Sequence, residues 1–401
     1  MLDFLASAGS DTAEPSRSTI KQALEAVRTH LGMQVAYVSE FVDGQSVFRE
    51  VDAPGLEALI KPGDSRSLDD VYCRHILAGR LPELMADTAD FPLTQSIPIT
   101  RAVPIGAHMS VPLRLSSGQA YGMFCCLSSQ PNRSLNERDL QIMRVFADMA
   151  AHQFNRDLEA ERTAMATRRR IEQVIEEQLF NIVYQPICTL DPIRVVGFEA
   201  LCRFTAEPRR SPDVWFREAA AVGLGIQLEL ATLRAALNAF AHISDEHFLS
   251  VNASPETVAS GRLDEVLRNA PLSRIVLEIT EHARVSDYAG LHNALASLRK
   301  TGVKLAIDDA GAGYSSFQHI LQLRPDIIKL DMSLTRSVDT DAGRRALASA
   351  LGYFARETNC QIVAEGIESE AELATLRMLR IAKGQGYLLG KPADILTSPI
   401  E

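Results

Sequence analysis

The sequence lacks a long hydrophobic run, an excess of positive charge and a signal sequence. No window approaches the ~18 uninterrupted apolar residues that a membrane-spanning helix needs, and the N-terminus has no positively charged start. The 51 acidic residues outnumber the 41 basic ones, which argues against a long electropositive track for polymeric nucleic acid. These absences predict a cytoplasmic protein that binds neither a membrane nor a nucleic-acid polymer.

The sequence also lacks a cysteine pattern. Its six cysteines are irregularly spread without any CxxC pair, which predicts reduced and mostly buried thiols. With 401 residues, 46% of them hydrophobic and 23% charged, the chain has the composition of a folded protein and the length of two domains. We expect a disordered tail over residues 1–16, a first domain over 17–158, a helical linker over 159–178 and a second domain over 179–401.

The first domain has the pattern of an α+β fold. Helical periodicity from Ile20 to Leu31 precedes strand-like runs, of which Ser110–Leu115 and Gln119–Ser128 are separated by a glycine-containing turn typical of a hairpin. A second helical pattern runs from Leu140 to Leu158. The following residues are rich in Glu, Arg, Ala and Gln and contain neither Gly nor Pro, so we expect the closing helix to continue as an exposed connector.

The second domain alternates short apolar runs with helical stretches, which predicts an α/β barrel of the TIM type. The first two strands are separated by only the six-residue turn Thr189–Arg194, too short for a parallel crossover, so the first strand should run antiparallel. The eight predicted strands are Ile182–Ile187, Val195–Leu201, Phe248–Asn252, Ile275–Ile279, Val303–Ile307, Ile327–Leu330, Gln361–Ala364 and Gly386–Leu389.

Polar residues recur at the carboxyl ends of these runs, where a barrel builds its active site. Taken singly, an acid after a strand is usually a solvated loop residue or a helix N-cap. Here the acids stand within apolar runs such as VVGFEAL, IVLEIT and LAIDD, which solvated residues have no reason to do. The series comprises Glu199, Asn252, Glu278, Glu281, Asp308, Asp309, Lys329, Glu365 and Gln385.

So many carboxylates beside one lysine would repel one another by several kcal/mol unless cations neutralise them. The candidate ligands are all oxygen donors, which favours Mg²⁺ or Mn²⁺ over Zn²⁺. The adjacent Asp308 and Asp309 can serve two ions at the roughly 3.5–4 Å spacing of two-metal phosphoester hydrolysis.

The motifs that carry these residues resemble the EAL-domain family of cyclic di-GMP phosphodiesterases. The likeness covers about residues 178–392. Its motifs are YQPI at 184–187, EALCR at 199–203, Asn252, EITE at 278–281, DDAGAGYSS at 308–316, KLD at 329–331, AEGIE at 364–368 and GQGY at 384–387. The resemblance implies hydrolysis of cyclic di-GMP to linear pGpG with two Mg²⁺ or Mn²⁺ ions per site.

The resemblance also implies a role for each residue of the site. Glu199, Asn252, Glu278 and Asp308 would bind the first ion, and Asp308 with Asp309 the second. Glu365 would be the general base or a further ligand, Lys329 would orient the attacking water, and Gln385 would support the metal–water shell. Arg203 would contact the phosphate, unless it forms only a surface ion pair, and Leu201 and Gln385 would contact substrate.

Glu281 would anchor the loop Ala310–Ser316, in which Ala310 stands where the family often has an aromatic residue. We expect this departure to affect the rigidity of the loop and to leave the ligand set intact.

The first domain resembles GAF sensory domains through SVPLRL at 110–115, QAYGMFCCL at 119–127 and FADMA at 146–150. The resemblance does not select a ligand. Cys73, followed by Arg74 and His75, is more simply an ordinary loop or helix cysteine than a site for a chromophore or iron.

Two further readings of the function stay open from the sequence. One is a catalytically silent module that binds cyclic di-GMP as a receptor, and the other is an enzyme that cleaves a different phosphodiester. We also expect a homodimer formed through the barrel and the connector helix.

Overall fold

The computed structural model describes residues 10–280, 287–310 and 315–395. The chain divides into two compact units, Met1–Ala164 and Met165–Glu401. No helix of the described residues is both long and apolar enough to cross a membrane. All six cysteines are free, and four of them are buried, as the sequence predicts.

The first unit is built on a six-stranded antiparallel sheet in the order β3-β2-β1-β6-β5-β4. Its strands are Val35–Val42 (β1), Gln45–Asp52 (β2), Ser65–Ser67 (β3), Leu84–Met85 (β4), Ala107–Arg114 (β5) and Ala120–Ser128 (β6). Its helices are Ser10–His30 (α1), Cys73–Leu77 (α2), Pro98–Ala102 (α3) and Glu137–Glu176 (α4), with 3₁₀ turns at Thr88–Asp90 and Pro92–Ser96. The predicted α+β fold is confirmed, including the β5–β6 hairpin.

One boundary in this region differs from the expectation, and the other follows it. Helix α1 begins at Ser10, within the segment predicted as a disordered tail. At the other end, α4 continues to Glu176, as predicted for the connector, and the boundary between the two units falls inside this helix.

The second unit is a closed eight-stranded barrel in the order β10-β11-β12-β13-β14-β7-β8-β9. Its strands are Phe180–Leu190 (β7), Ile193–Phe204 (β8), Phe248–Asn252 (β9), Ile275–Thr280 (β10), Lys304–Ala310 (β11), Ile327–Leu330 (β12), Gln361–Ala364 (β13) and Lys383–Gly384 (β14). Strand β7 runs antiparallel to both of its neighbours, which confirms the predicted direction of the first strand.

Helices follow most of the barrel strands. They are Pro212–Ala221 (α5), Gly225–Ala236 (α6), Pro255–Ala259 (α7), Leu263–Leu267 (α8), Tyr288–Lys300 (α9), Ser315–Leu323 (α10), Met332–Thr335 (α11), Ala342–Glu357 (α12) and Glu370–Met378 (α13), with 3₁₀ turns at Leu237–Ala241 and Leu272–Arg274. Their apolar faces cover the barrel and enclose clusters of buried aliphatic side chains.

Two details of the predicted barrel were wrong. The first two strands are longer than expected, so only Asp191 and Pro192 separate them instead of six residues. The eighth strand is Lys383–Gly384 and not Gly386–Leu389, because the amides of Leu389 and Gly390 both donate to the Gly386 carbonyl and form a turn. Gly386 suits this turn since an added Cβ would lie 2.2 Å from the Ile367 backbone.

Candidate active site

The side chains inside the barrel form two layers. The lower layer is apolar and includes Val276, Ala306, Ile327 and Val363, which belong to one buried cluster. Successive side chains of a strand alternate between its faces, so the residue two positions later also points inward. That residue is charged in each case, namely Glu278, Asp308 and Lys329 within their strands and Glu365 directly after β13. Strand period therefore carries four ionisable groups to the carboxyl-terminal rim of the barrel.

Lys329 lies at the centre of the upper layer and is 1% exposed. Its Nζ is 2.7 Å from Glu365 Oε1, 2.8 Å from Glu278 Oε2, 3.1 Å from Asp308 Oδ1 and 3.3 Å from Glu199 Oε1. No second lysine or arginine of residues 10–280, 287–310 and 315–395 pairs with these four carboxylates. The charge of the cluster is therefore strongly negative when its acids are ionised.

Burial and crowding shift the pKa values of this cluster. Burial raises the pKa of Glu278 well above its ordinary value. Lys329 lowers this pKa, whereas the negative charges of Glu199 and Asp308 raise it. Burial likewise raises the pKa of Glu365. For Lys329, burial alone would lower the pKa, but four surrounding carboxylates raise it well above normal, so the ammonium group stays charged.

Asp309 reaches the same rim through a β-bulge. Ile307 and Ala310 of β11 pair with Ile328 and Leu330, so two residues of β11 oppose the single residue Lys329 of β12. Asp309 has a φ of 56°, in the left-handed region, which aspartate tolerates better than most residues. Consecutive strand residues normally face opposite sides of the sheet. The bulge brings both aspartates into one acidic group instead.

The acids form two overlapping groups of potential metal ligands. Oxygens of Glu199, Glu278 and Asp308 lie within 4.8 Å of one another, as do oxygens of Asp308, Asp309 and Glu365. Asp308 is common to both groups, so its carboxylate could contribute to either one. The donors are hard carboxylate oxygens, which suit Mg²⁺ or Mn²⁺.

Gln385 connects the two groups. Its Nε2 donates to Glu199 Oε2 at 2.6 Å and lies 3.4 Å from Glu365 Oε1. The Oε1 atom of this side chain is buried and accepts no hydrogen bond from the described residues. An acceptor left in this state costs stability unless water or a bound group satisfies it.

The remaining predicted residues lie beside this cluster or outside the described chain. Asn252 ends β9 and pairs in register with Glu278, with its side chain exposed. Arg203 is exposed and donates to the Cys202 carbonyl at 2.8 Å, so no surface ion pair holds it among the described residues. Leu201 is half-buried. The predicted anchor Glu281 lies outside the described residues.

A cavity of about 490 Å³ opens beside the cluster, in the size range of small-molecule sites. Leu201, Arg203 and Asn252 line it together with Phe216 and Glu229. Glu229 accepts hydrogen bonds from Ser254 N at 2.8 Å and Ser254 Oγ at 3.0 Å, and burial raises its pKa. The structure therefore joins three predicted residues into one wall of a cavity next to the acids.

Sequence reasoning missed Ser250, which lies on β9, two residues before Asn252. Ser250 is 1% exposed, and its hydroxyl donates to Glu278 Oε1, whereas Lys329 contacts the other carboxylate oxygen, Oε2. The two bonds together fix the carboxylate plane of Glu278. The sequence did contain a signal for this role. Ser250 precedes the predicted ligand Asn252 by two residues on the same strand, so both side chains face the same side of the sheet.

An acidic rim site on a barrel with an antiparallel first strand defines the class of this protein. A model of the EAL domain family matches residues 168–392, more than half of the chain, and a GAF domain model matches residues 13–152. The chain therefore belongs to the EAL domain family and carries a GAF domain before the barrel.

Named relatives agree with this assignment. The chain is 30% identical over 240 residues to the probable cyclic di-GMP phosphodiesterase PdeI of Escherichia coli K12, which covers 56% of this chain and 30% of that protein. It is 30% identical over 247 residues to a cyclic di-GMP phosphodiesterase of Pseudomonas aeruginosa, covering 58% and 42%. The chain thus spans less than half the length of these two relatives.

A solved structure also matches the second unit. The PaMucR phosphodiesterase in complex with c-di-GMP aligns with a TM-score of 0.51 and 28% identity, covering 57% of this chain and 97% of that one.

We expect Ser250→Ala to weaken Mn²⁺ binding about tenfold, because a lost partner of a metal ligand commonly costs 10–100-fold in metal affinity. Calorimetric titration of the full chain with Mn²⁺ measures this. Ser254→Ala is the matched control, since it removes a hydroxyl that donates a hydrogen bond to another glutamate, Glu229. The Mn²⁺ affinity of this variant should equal that of the unchanged protein. Equal affinities for both variants would show that Ser250 has no part in holding Glu278.

Lys329→Met should destabilise the metal-free barrel by about 3 kcal/mol, because it leaves buried carboxylates without their cation. Trp215, the single tryptophan, is fully buried in this unit, so its fluorescence during urea unfolding in EDTA reports on the barrel. Lys383→Met is the control, since Lys383 donates to the neutral Gln361 amide at 2.8 Å. Equal unfolding midpoints for the two variants would contradict the account.

Proposed function

We propose that this chain hydrolyses one phosphodiester bond of cyclic di-GMP to give linear pGpG, in a site that binds two divalent cations. One observation carries the proposal: the barrel gathers five carboxylates at its rim in two groups that share Asp308. The names of the relatives support the substrate.

The residues present fit two such ions. Glu199, Asn252, Glu278 and Asp308 would hold the first, and Asp308 and Asp309 the second. Divalent cations held there would supply activation of a water molecule and stabilisation of the leaving oxygen of a phosphodiester. Mg²⁺ and Mn²⁺ both suit an all-oxygen donor set, and we propose that the enzyme uses one of them.

The chain's own groups have distinct tasks in this proposal. Glu365, whose raised pKa suits proton transfer, accepts a proton from the attacking water or serves as a further ligand. Lys329 stays charged and orients that water. Gln385 positions the carboxylates of Glu199 and Glu365 relative to each other, because its amide nitrogen contacts both of them.

The neighbouring cavity would receive a guanine base. Its walls are largely apolar, and they include the aromatic ring of Phe216 and the acidic side chain of Glu229. Arg203 lines the cavity with its guanidinium exposed, so it is available for a phosphate oxygen of the substrate. Leu201 contributes apolar contact area at the same wall.

The decisive assay incubates the purified full chain with cyclic di-GMP and Mg²⁺ or Mn²⁺ and separates the products by chromatography. We expect linear pGpG, and no turnover when EDTA is present. Asp309→Asn should reduce turnover about 100-fold or more. Its effect on folding should be modest, because it removes a charge from a repulsive group.

Asp264→Asn on the exposed surface of α8 is the matched control and should retain full turnover. Binding of cyclic di-GMP without any pGpG would identify the chain as a receptor and overturn the proposed hydrolysis. Cleavage of another phosphodiester in preference to cyclic di-GMP would overturn the proposed substrate.

We further propose that the GAF domain regulates the barrel and that the chain acts as a homodimer through the barrel and the connector helix. Met165 in α4 is 54% exposed, and Val145 and Met149 of the same helix are also exposed, which supports self-association along it. Light scattering at micromolar concentration should give twice the monomer mass of 44.0 kDa. A purely monomeric solution would exclude the dimer.

A further inference from the structure

The first unit contains a cavity of about 550 Å³, large enough for a drug-sized small molecule. It is lined by side chains of the sheet and of the segments that cross it. Most of these side chains are aliphatic or aromatic, including Val35, Phe48, Leu56, Ile60, Ile99 and Ile105. The cavity is therefore suited to an apolar molecular body.

Most polar side chains of the cavity wall already have partners within the protein. The Tyr72 hydroxyl is 2.7 Å from Thr100 Oγ1, and the Gln34 Oε1 accepts from Ser129 N at 2.9 Å. Burial raises the pKa of Tyr37, so its hydroxyl stays neutral. Only His108 keeps a buried ring nitrogen without a partner among the described residues. The interior thus offers little to the hydroxyls and base edges of a nucleotide.

The mouth of the cavity differs from its interior in charge. Arg66 lines the cavity, is exposed, and donates to the Ser65 carbonyl at 3.1 Å. No carboxylate of the described residues forms an ion pair with Arg66, and no aspartate or glutamate lines the cavity. Two exposed apolar side chains, Leu59 at 71% exposure and Val103 at 37%, also line the cavity. The mouth therefore combines one unpaired cation with an apolar rim.

We propose that this cavity binds an amphiphilic organic anion, with its apolar body inside and its acidic head group at Arg66. Apolar burial supplies most of the affinity, and the guanidinium selects the negative charge. A cyclic nucleotide fits poorly, because its polar edges would lose water without gaining partners.

The test uses two fluorescent probes with the same anilinonaphthalene body on the full chain. 8-Anilinonaphthalene-1-sulfonate carries an acidic head group, whereas N-phenyl-1-naphthylamine is neutral. We expect one saturable site for both, with the sulfonate bound about fivefold more tightly. Decanoate should displace the sulfonate probe, and decanol should displace it more weakly, while cyclic AMP and cyclic GMP should not displace it.

Arg66→Gln should remove the preference for the sulfonate and leave the affinity for the neutral probe unchanged. Arg114→Gln is the matched control, because Arg114 is also exposed and donates to a backbone carbonyl, that of Gly118, but does not line the cavity. Val71→Trp fills the cavity and should abolish binding of both probes. If this variant fails to fold, by loss of its circular dichroism spectrum, the Arg66 comparison decides alone.

Equal affinities of the two probes, or the same result for Arg66→Gln and Arg114→Gln, would overturn the proposed charge selection. Displacement by a cyclic nucleotide would overturn the proposed ligand class. These readouts do not involve phosphodiester hydrolysis, so they stand or fall independently of the proposed function.

Discussion

Electrostatic repulsion among buried carboxylates is the constraint on which the barrel unit depends. Four acids surround Lys329 at 2.7–3.3 Å, and Asp309 joins the group from the neighbouring strand position. One ammonium group cannot balance that many negative charges in a partly dry site. Without cations, the raised pKa values of Glu278 and Glu365 show that protonation is the alternative route to neutrality. Divalent cations, as proposed, would relieve the same repulsion and leave the carboxylate oxygens ionised.

The barrel makes this crowding possible by separating stability from chemistry along each strand. The apolar residues Val276, Ala306, Ile327 and Val363 fill the lower layer, and a charged residue follows each of them two positions later. The lower layer keeps the strands in register by burying apolar area. The upper layer can then hold groups that repel one another, because the apolar layer below them supplies most of the cohesion of the barrel.

Much of this arrangement could be predicted from the sequence, because it follows from strand period and strand direction. The barrel, its antiparallel first strand and the convergence of Glu199, Glu278, Asp308, Lys329 and Glu365 all rest on those two rules. The bulge at Asp308 and Asp309 could not be predicted, since it depends on the register between β11 and β12. The role of Ser250 could not be predicted for a related reason, because its hydrogen bond to Glu278 depends on the register between β9 and β10. The eighth strand was misplaced because a turn at Gly386 competes with strand pairing over the same residues.

The most direct test of the account is anomalous diffraction from crystals of the full chain grown with Mn²⁺. The account predicts two anomalous peaks roughly 3.5–4 Å apart, one near Glu199, Glu278 and Asp308 and the other near Asp308, Asp309 and Glu365. A map without a peak at either position, with Lys329 as the sole counterion of the four carboxylates, would contradict it.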